Sequence, residues 1–470
     1  MISLAITFIS HIKKQFYNLL FIVIILLSSC SSKKSEDKYD LVVSNINLID
    51  GTGNPLIEHA NVYISDGRIK KINSGKQKHQ ADSIIDGTGK FLIPGLFDNH
   101  FHLGTNYNRR LKIMMHFGIT NVFSVGGTYQ TYENMKRLDS LEQVDAIISP
   151  TIKYSSPFVT IPGGHPRENI TGQDEGVNIY HLTSADQIQA IAKEAKENGA
   201  IAIKLMIEDG PEPPFIERIK PEWIQLIREE ADKYNLLLVT HISDPLEFKL
   251  SVENGADAIM HSPYPPLDFE KDSSLINRIL KDSIYLVTTG NMRAGIDYPL
   301  HPERLKSPYL SVFDEELASI NETLETDKQI AEMTITQYFG LDLDTYEKYI
   351  EYPKESNFRK LDSIGVNVIV GTDAGNPKYN LPGLSVHEEM QLYQHGGMQP
   401  IRIIKCATLN AAKMLRIDQD YGSIEEGKFA NFIILKNNPL EDISNTLTIE
   451  SIYKRGNKQL RITNANNGYK

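Results

Sequence analysis

Asp98, His100 and His102 fall within five residues of one another in the stretch LIPGLFDNHFHLG, residues 92–104. In an extended chain, residues two apart point to the same face, so both imidazoles can reach one ion. Two polar side chains on an ordinary strand would look the same. Four further apolar runs end in similar chemistry: AIAIK at Lys204, LLLVT before His241, ADAIM before His261 and VNVIVGT before Asp373. Singly, each has a plain reading. A histidine at a strand end is a hydrogen-bonded structural residue, a lysine after an apolar run lies at the surface, and an aspartate before Ala-Gly forms a turn or caps a helix. Together they are the makings of a metal centre, because imidazole and carboxylate are good ligands for Zn²⁺ and a catalytic site keeps a position open for water. The set becomes a site only if a fold brings those run ends to one place.

The middle of the chain supplies such a fold. Eight short apolar runs, within 91–101, 118–126, 145–153, 200–206, 236–241, 255–261, 284–290 and 365–373, alternate with helix-length segments such as SADQIQAIAKEAKENG and PEWIQLIREEADKYN. Apolar residues three and four apart, followed by Gly or Asn, support the helices. Eight strands alternating with helices predict an α/β fold, a (β/α)8 TIM barrel, over 92–421, with its chemistry at the C-terminal ends of the strands. One connection is irregular: residues 291–360 are long, charged and helical, which predicts an inserted helical subdomain. Residues 40–91 and 422–463 are strand-rich, with turn signals at Asp66-Gly67 and Asp86-Gly87. They predict a small β-sandwich domain formed from both chain ends.

A chain of 470 residues with 41% hydrophobic and 23% charged residues is globular in composition. A formal charge of −11 without a long basic run argues against nucleic acid as a partner. Residues 1–29 read as a signal peptide: Lys13 and Lys14 precede the apolar run NLLFIVIILL, too short to span a bilayer comfortably. Leu27-Ser28-Ser29-Cys30 resembles a bacterial lipoprotein lipobox, which implies lipidation at Cys30, a polar tether over 30–39 and attachment to the cell envelope by a lipid anchor only. Cys406 is then the one remaining thiol, so no internal disulfide can form, and its apolar helical surroundings predict a core residue.

The stretches PGLFDNHFHLG, IKLM, VTH, IMH and GTDAG resemble the metal-ligand series of the amidohydrolase superfamily, and the likeness runs through the whole mature chain. The resemblance implies two divalent ions, most simply Zn²⁺. His100, His102 and Asp373 would hold one, His241 and His261 the other, and a carboxylated Lys204 would join them. An unmodified ammonium has three donors and no acceptor, so it could not sit between two cations. Two such ions activate water and polarise a carbonyl, and Asp373 is the expected catalytic proton carrier. Asp98 is expected to support the ligands from deeper in the strand.

TIPGGHP, residues 160–166, resembles the Gly-Gly-His loop of the prolidase-like and imidazolonepropionase-like branch, which makes His165 the first substrate-contact candidate. HISDPLEF and SPYPP depart from that branch's pattern after the histidines of strands 5 and 6, so the expected carboxylate anchor is missing there. Arg293, Tyr264 and Arg167 are the candidates to replace it. The leading expectation is a binuclear hydrolase of an amide bond in a dipeptide or cyclic amide. The alternatives are a mononuclear ring hydrolase or deaminase and a non-catalytic envelope lipoprotein. A small-molecule substrate and a homo-oligomer complete the expectations.

Overall fold

Pro94 and Gly95 divide two sheets. The computed structural model describes residues 38–78, 80–104, 106–127, 130–166, 178–209, 218–263, 267–338, 340–346, 358–375 and 378–462. The proposed signal peptide, Cys30 and nearly all of the tether lie outside them, as do Arg167 and Tyr264. Among the described residues, no helix is long and apolar enough to cross a membrane.

Before the divide come β1 (Tyr39–Leu48), β2 (Ile57–Ser65), β3 (Arg68–Ser74), β4 (Ala81–Asp86) and β5 (Phe91–Pro94). After it come β6 (Leu96–Phe101), β7 (Ile119–Ser124), β8 (Thr151–Thr160), β9 (Ile179–His181), β10 (Ala202–Met206), β11 (Leu237–His241), β12 (Ala258–Met260), β13 (Tyr285–Val287) and β14 (Asn367–Ile369). The chain then returns through β15 (Phe432–Leu435), β16 (Ile449–Lys454) and β17 (Asn457–Lys458).

The end strands form one mostly antiparallel sheet, ordered β17-β16-β15-β5-β1-β2-β3 with β4 beside β1. Its core holds Leu41, Val43, Ile64, Leu92, Phe432 and Ile434, drawn from both ends of the chain. Asp66 and Gly67, at φ 54° and 70°, make the tight turn between β2 and β3, where two positive φ values suit a hairpin. Asn431 ties the two ends together: its carbonyl accepts from Gly95 N at 3.0 Å, and its Oδ1 from Arg455 N at 2.8 Å. Position 95 must be glycine, since a Cβ there would sit 2.2 Å from Thr120 Oγ1.

The second sheet is the expected parallel barrel, ordered β14-β13-β12-β11-β10-β8-β7-β6, with β9 added beside β8. The ring closes where the chain beyond β14 meets β6. Asn99 N donates to Val370 O at 3.2 Å, Asp373 N to His100 O at 2.7 Å and His102 N to Ala374 O at 3.0 Å. Phe97, Phe123, Val239, Met260 and Ile369 fill the interior, with Ala411, Ala412 and Met414 packed on the same cluster. Ile203, Leu205, Leu238 and Val368 face the surrounding helices. Helices at Asp186–Glu197 and Pro221–Lys233 fall where the periodicity predicts them. Between β13 and β14 the described residues include the helices Ala294–Leu300 and Asp314–Met333.

One strand lies later than expected. The third barrel strand runs from Thr151 to Thr160, not over 145–153. Pro150 has no N–H to give to a ladder, and the polar-looking SSP that follows belongs to the strand. Ser155 and Ser156 are fully buried, their hydroxyls donating to the carbonyls of Ser156 and Pro157 at 2.6 and 2.7 Å.

Candidate metal centre

Strand alternation delivers most of the proposed ligands to the barrel interior. On β10, Ile203 and Leu205 pack outward, so Lys204 points inward with Ala202. At the end of β6, His100 and, just past the strand, His102 flank Phe101, which is buried in the outer core. His261 breaks the alternation, because Met260 before it already faces in. Its φ of 75° turns the ring back into the site, and Asp373 has a φ of 62°. Left-handed backbone in two non-glycine residues persists only where the surrounding structure enforces it, and such strain gathers at functional sites.

The rings converge. His100 lies 5.2 Å from His102 and 4.8 Å from His261, centroid to centroid, and His241 lies 4.4 Å from His261. Asp373 Oδ1 is 2.7 Å from His102 Nε2 and 3.3 Å from His100 Nε2, in hydrogen-bonding alignment with neither. His102 Nδ1 is 2.8 Å from Gly126 O. A carbonyl only accepts, so Nδ1 carries the proton and a neutral ring turns its Nε2 lone pair to the carboxylate. Two acceptors at that distance repel unless a proton or a cation lies between them.

Other buried atoms here also lack hydrogen-bond partners: both ring nitrogens of His100, Lys204 Nζ and Asp373 Oδ1. Orphaned buried polar groups are costly and call for an explanation. Here they are ligand-type atoms facing one another, so the residues fit a divalent ion. Among the described residues, donor atoms of His100, His261 and Asp373 lie within 4.8 Å of one another, and so do those of His165, Glu208 and His241.

Burial holds His100, His241 and His261 well below the ordinary imidazole range, with neighbouring cationic groups adding to it. They are therefore neutral, the form that binds metals. Burial also pushes the Lys204 ammonium down to about 7, against an opposing pull from Asp373. Desolvation raises Asp98 to about 7, against hydrogen bonds that favour its charged form. Its Oδ1 accepts from His100 N at 3.2 Å and Thr372 N at 3.1 Å, and its Oδ2 from Thr372 Oγ1 at 2.6 Å. Asp98 thus braces the backbone beside His100 and beside Asp373.

Of the substrate-contact candidates, His165 stacks on the His241 ring at 4.8 Å. Arg293 pairs through Nε with Asp297 Oδ2 at 2.6 Å and is largely buried. Cys406 is a buried core thiol, pushed up to about 12. Sequence reasoning missed Glu208, which is buried and whose Oε2 lies 2.6 Å from His241 Nε2 and 3.6 Å from His165 Nδ1. The signal was present in KLMIE: Glu208 is four residues beyond Lys204 and so in step with it along an extended chain.

The sequence matches the model of the amidohydrolase family over residues 91–458. The chain belongs to the amidohydrolase family. Among curated relatives, a 5-methylthioadenosine/S-adenosylhomocysteine deaminase of Thermoanaerobacter pseudethanolicus is 23% identical over 84% of this chain and 85% of its own. An imidazolonepropionase of Thermoplasma volcanium is 23% identical over 85% and 89%. A solved Xaa-Pro dipeptidase with bound methionine shares the fold, with a TM-score of 0.67, 21% identity, and coverage of 89% of this chain and 99% of that one. This amidohydrolase therefore has relatives named for several different reactions.

Proposed function

We propose that this amidohydrolase is a binuclear enzyme that cleaves an amide bond in a dipeptide or small cyclic amide. The observation that carries the proposal is Lys204, fully buried and without a hydrogen-bond partner, with three neutral histidines and Asp373 as its electrostatic neighbours. A lysine lowered to about 7 is substantially the free amine at neutral pH. Its lone pair can attack CO₂, giving a carbamate and releasing one proton. The lysine thereby changes from a donor into an anionic acceptor able to join two cations. In this reading His100, His102 and Asp373 would hold one ion, His241 and His261 the other, and modified Lys204 would join them.

Bound divalent ions, Zn²⁺ in the simplest case, would polarise the scissile carbonyl and acidify a water molecule. Asp373 takes the proton from the attacking water and returns it to the leaving amine. His165, in the loop after β8 and stacked over His241, would contact the substrate carbonyl.

A second reading, one ion with ring hydrolysis or deamination, draws on the compact His100, His261 and Asp373 group and on the names of the relatives. Metal stoichiometry by elemental analysis, with carbon-13 bicarbonate labelling of Lys204, separates the two. Two ions and a labelled carbamate are expected. One tightly held ion with an unmodified lysine would favour the mononuclear enzyme. A broad dipeptide, lactam and lactone panel tests turnover, and silence across it on metal-loaded protein would favour a binding role. We further propose lipidation at Cys30 and residence in the bacterial envelope, supported by the Leu27–Cys30 motif. Cys30→Ala is expected to remove the protein from the membrane fraction.

A further inference from the structure

We infer that Glu208 is a positioning residue that fixes which nitrogen of His241 is offered to metal. This rests on the metal-centre reading above. His241 has two ring nitrogens, and the structure gives them different neighbours. Nε2 lies 2.6 Å from Glu208 Oε2, and Nδ1 lies 2.9 Å from His261 Nε2. A carboxylate oxygen at hydrogen-bond distance accepts the ring N–H, so Glu208 Oε2 holds the His241 proton on Nε2. Nδ1 is then a bare lone pair.

His261 has the complementary arrangement: its Nδ1 lies 2.7 Å from Thr289 Oγ1, which leaves Nε2 for the site. The two nitrogens that face each other are the pair available to one ion, and the outer two are held by Glu208 and Thr289. Glu208 therefore serves His241 in a carboxylate–histidine–metal relay. Such a partner fixes the tautomer and ring orientation and raises the basicity of the ligand.

The same carboxylate faces a second ring. Glu208 Oε2 is 3.6 Å from His165 Nδ1, and His165 stacks on His241 at an interplanar angle of 17°. One buried acid thus lies against both a proposed ligand ring and the histidine of the loop after β8. The alternative role, Glu208 as a direct ligand with His165 and His241 to a separate ion, would need His241 to serve metals through both nitrogens. That requires an imidazolate, which a flanking carboxylate disfavours.

The test is competitive metal titration of the full chain with Co²⁺ and Zn²⁺, followed by the Co²⁺ ligand-field spectrum, for wild type, Glu208→Ala, Glu208→Gln and His165→Ala. Loss of a supporting partner of this kind costs about 10- to 100-fold in metal affinity. Glu208→Ala is expected to weaken one of two ions by that factor, shift its Co²⁺ bands and leave the other ion unchanged. Glu208→Gln, which still accepts the Nε2 proton through its carbonyl oxygen, is expected to recover part of the loss. His165→Ala is expected to keep both affinities. Unchanged affinity and spectrum in both Glu208 variants would overturn the inference while leaving the metal centre standing. A third bound ion lost together with Glu208 or His165 would replace it with direct ligation. Absence of metal binding by wild type would instead overturn the centre itself, and the inference with it.

Discussion

Lys204 offers a test in which stability and metal binding move in opposite directions. Replacing it with Met keeps an unbranched side chain of similar size and removes the amine. In metal-free, degassed protein the native amine is lowered from 10.5 to about 7 by burial. At about 1.4 kcal/mol per pH unit, that displacement opposes folding by roughly 5 kcal/mol, an upper bound because water entering the emptied site would solvate the ammonium. The sign follows from proton counting. Between about 7 and 10.5 the unfolded chain holds a proton on Lys204 that the folded chain has lost, so wild-type stability rises with pH across that window. Below it the penalty is complete, and above it none remains. Urea denaturation of metal-free Lys204→Met and wild type, from about pH 6 to about pH 10, is expected to show the variant more stable at the acid end. The gap should close as the pH approaches 10.5. With metal and bicarbonate restored the order should reverse, the variant losing bridging metal and activity. A metal-free variant less stable than wild type throughout, or a gap that does not change with pH, would refute the argument from burial.

Asp373→Asn is expected to retain most of the metal while kcat falls by about 10²- to 10⁴-fold, read by elemental analysis beside steady-state kinetics; near-normal turnover would remove Asp373 from proton transfer. Asp98→Asn keeps one acceptor oxygen for the N–H groups of His100 and Thr372 and replaces the acceptor of the Thr372 hydroxyl by an N–H₂, and is expected to cost ~1–3 kcal/mol in denaturation. Gly95→Ala forces a methyl against Thr120 and should cost ~1–3 kcal/mol, part of it recovered by adding Thr120→Ala.

The barrel was legible because short apolar runs alternate with segments whose apolar residues recur every three or four positions. The clustering of the candidate ligand residues was legible because they fall where those runs end. What sequence could not supply was the backbone exception at His261, where alternation points outward and a left-handed residue turns the ring in. The third strand was misplaced because Ser155 and Ser156 look like a loop and become strand only once their hydroxyls are satisfied by nearby carbonyls. Glu208 was in step with Lys204, but a single carboxylate acquires meaning only when His241 is brought against it.

The ring of strands has its seam at the site. Asp98 and Thr372 stand 274 residues apart in the chain, yet their contact helps to join the first strand to the last. That joint relies on a few main-chain bonds around His100, His102 and Asp373, whereas the other neighbouring strands pair along parallel ladders. Closing so long a loop carries an entropic cost that neighbouring hairpins do not face. An ion shared by His100, His102 and Asp373 would act as a clasp on that joint, binding the closed ring and not the open one. Metal occupancy would then report that synthesis has run through both ends of the barrel, and a chain truncated before Asp373 would have no clasp to fasten.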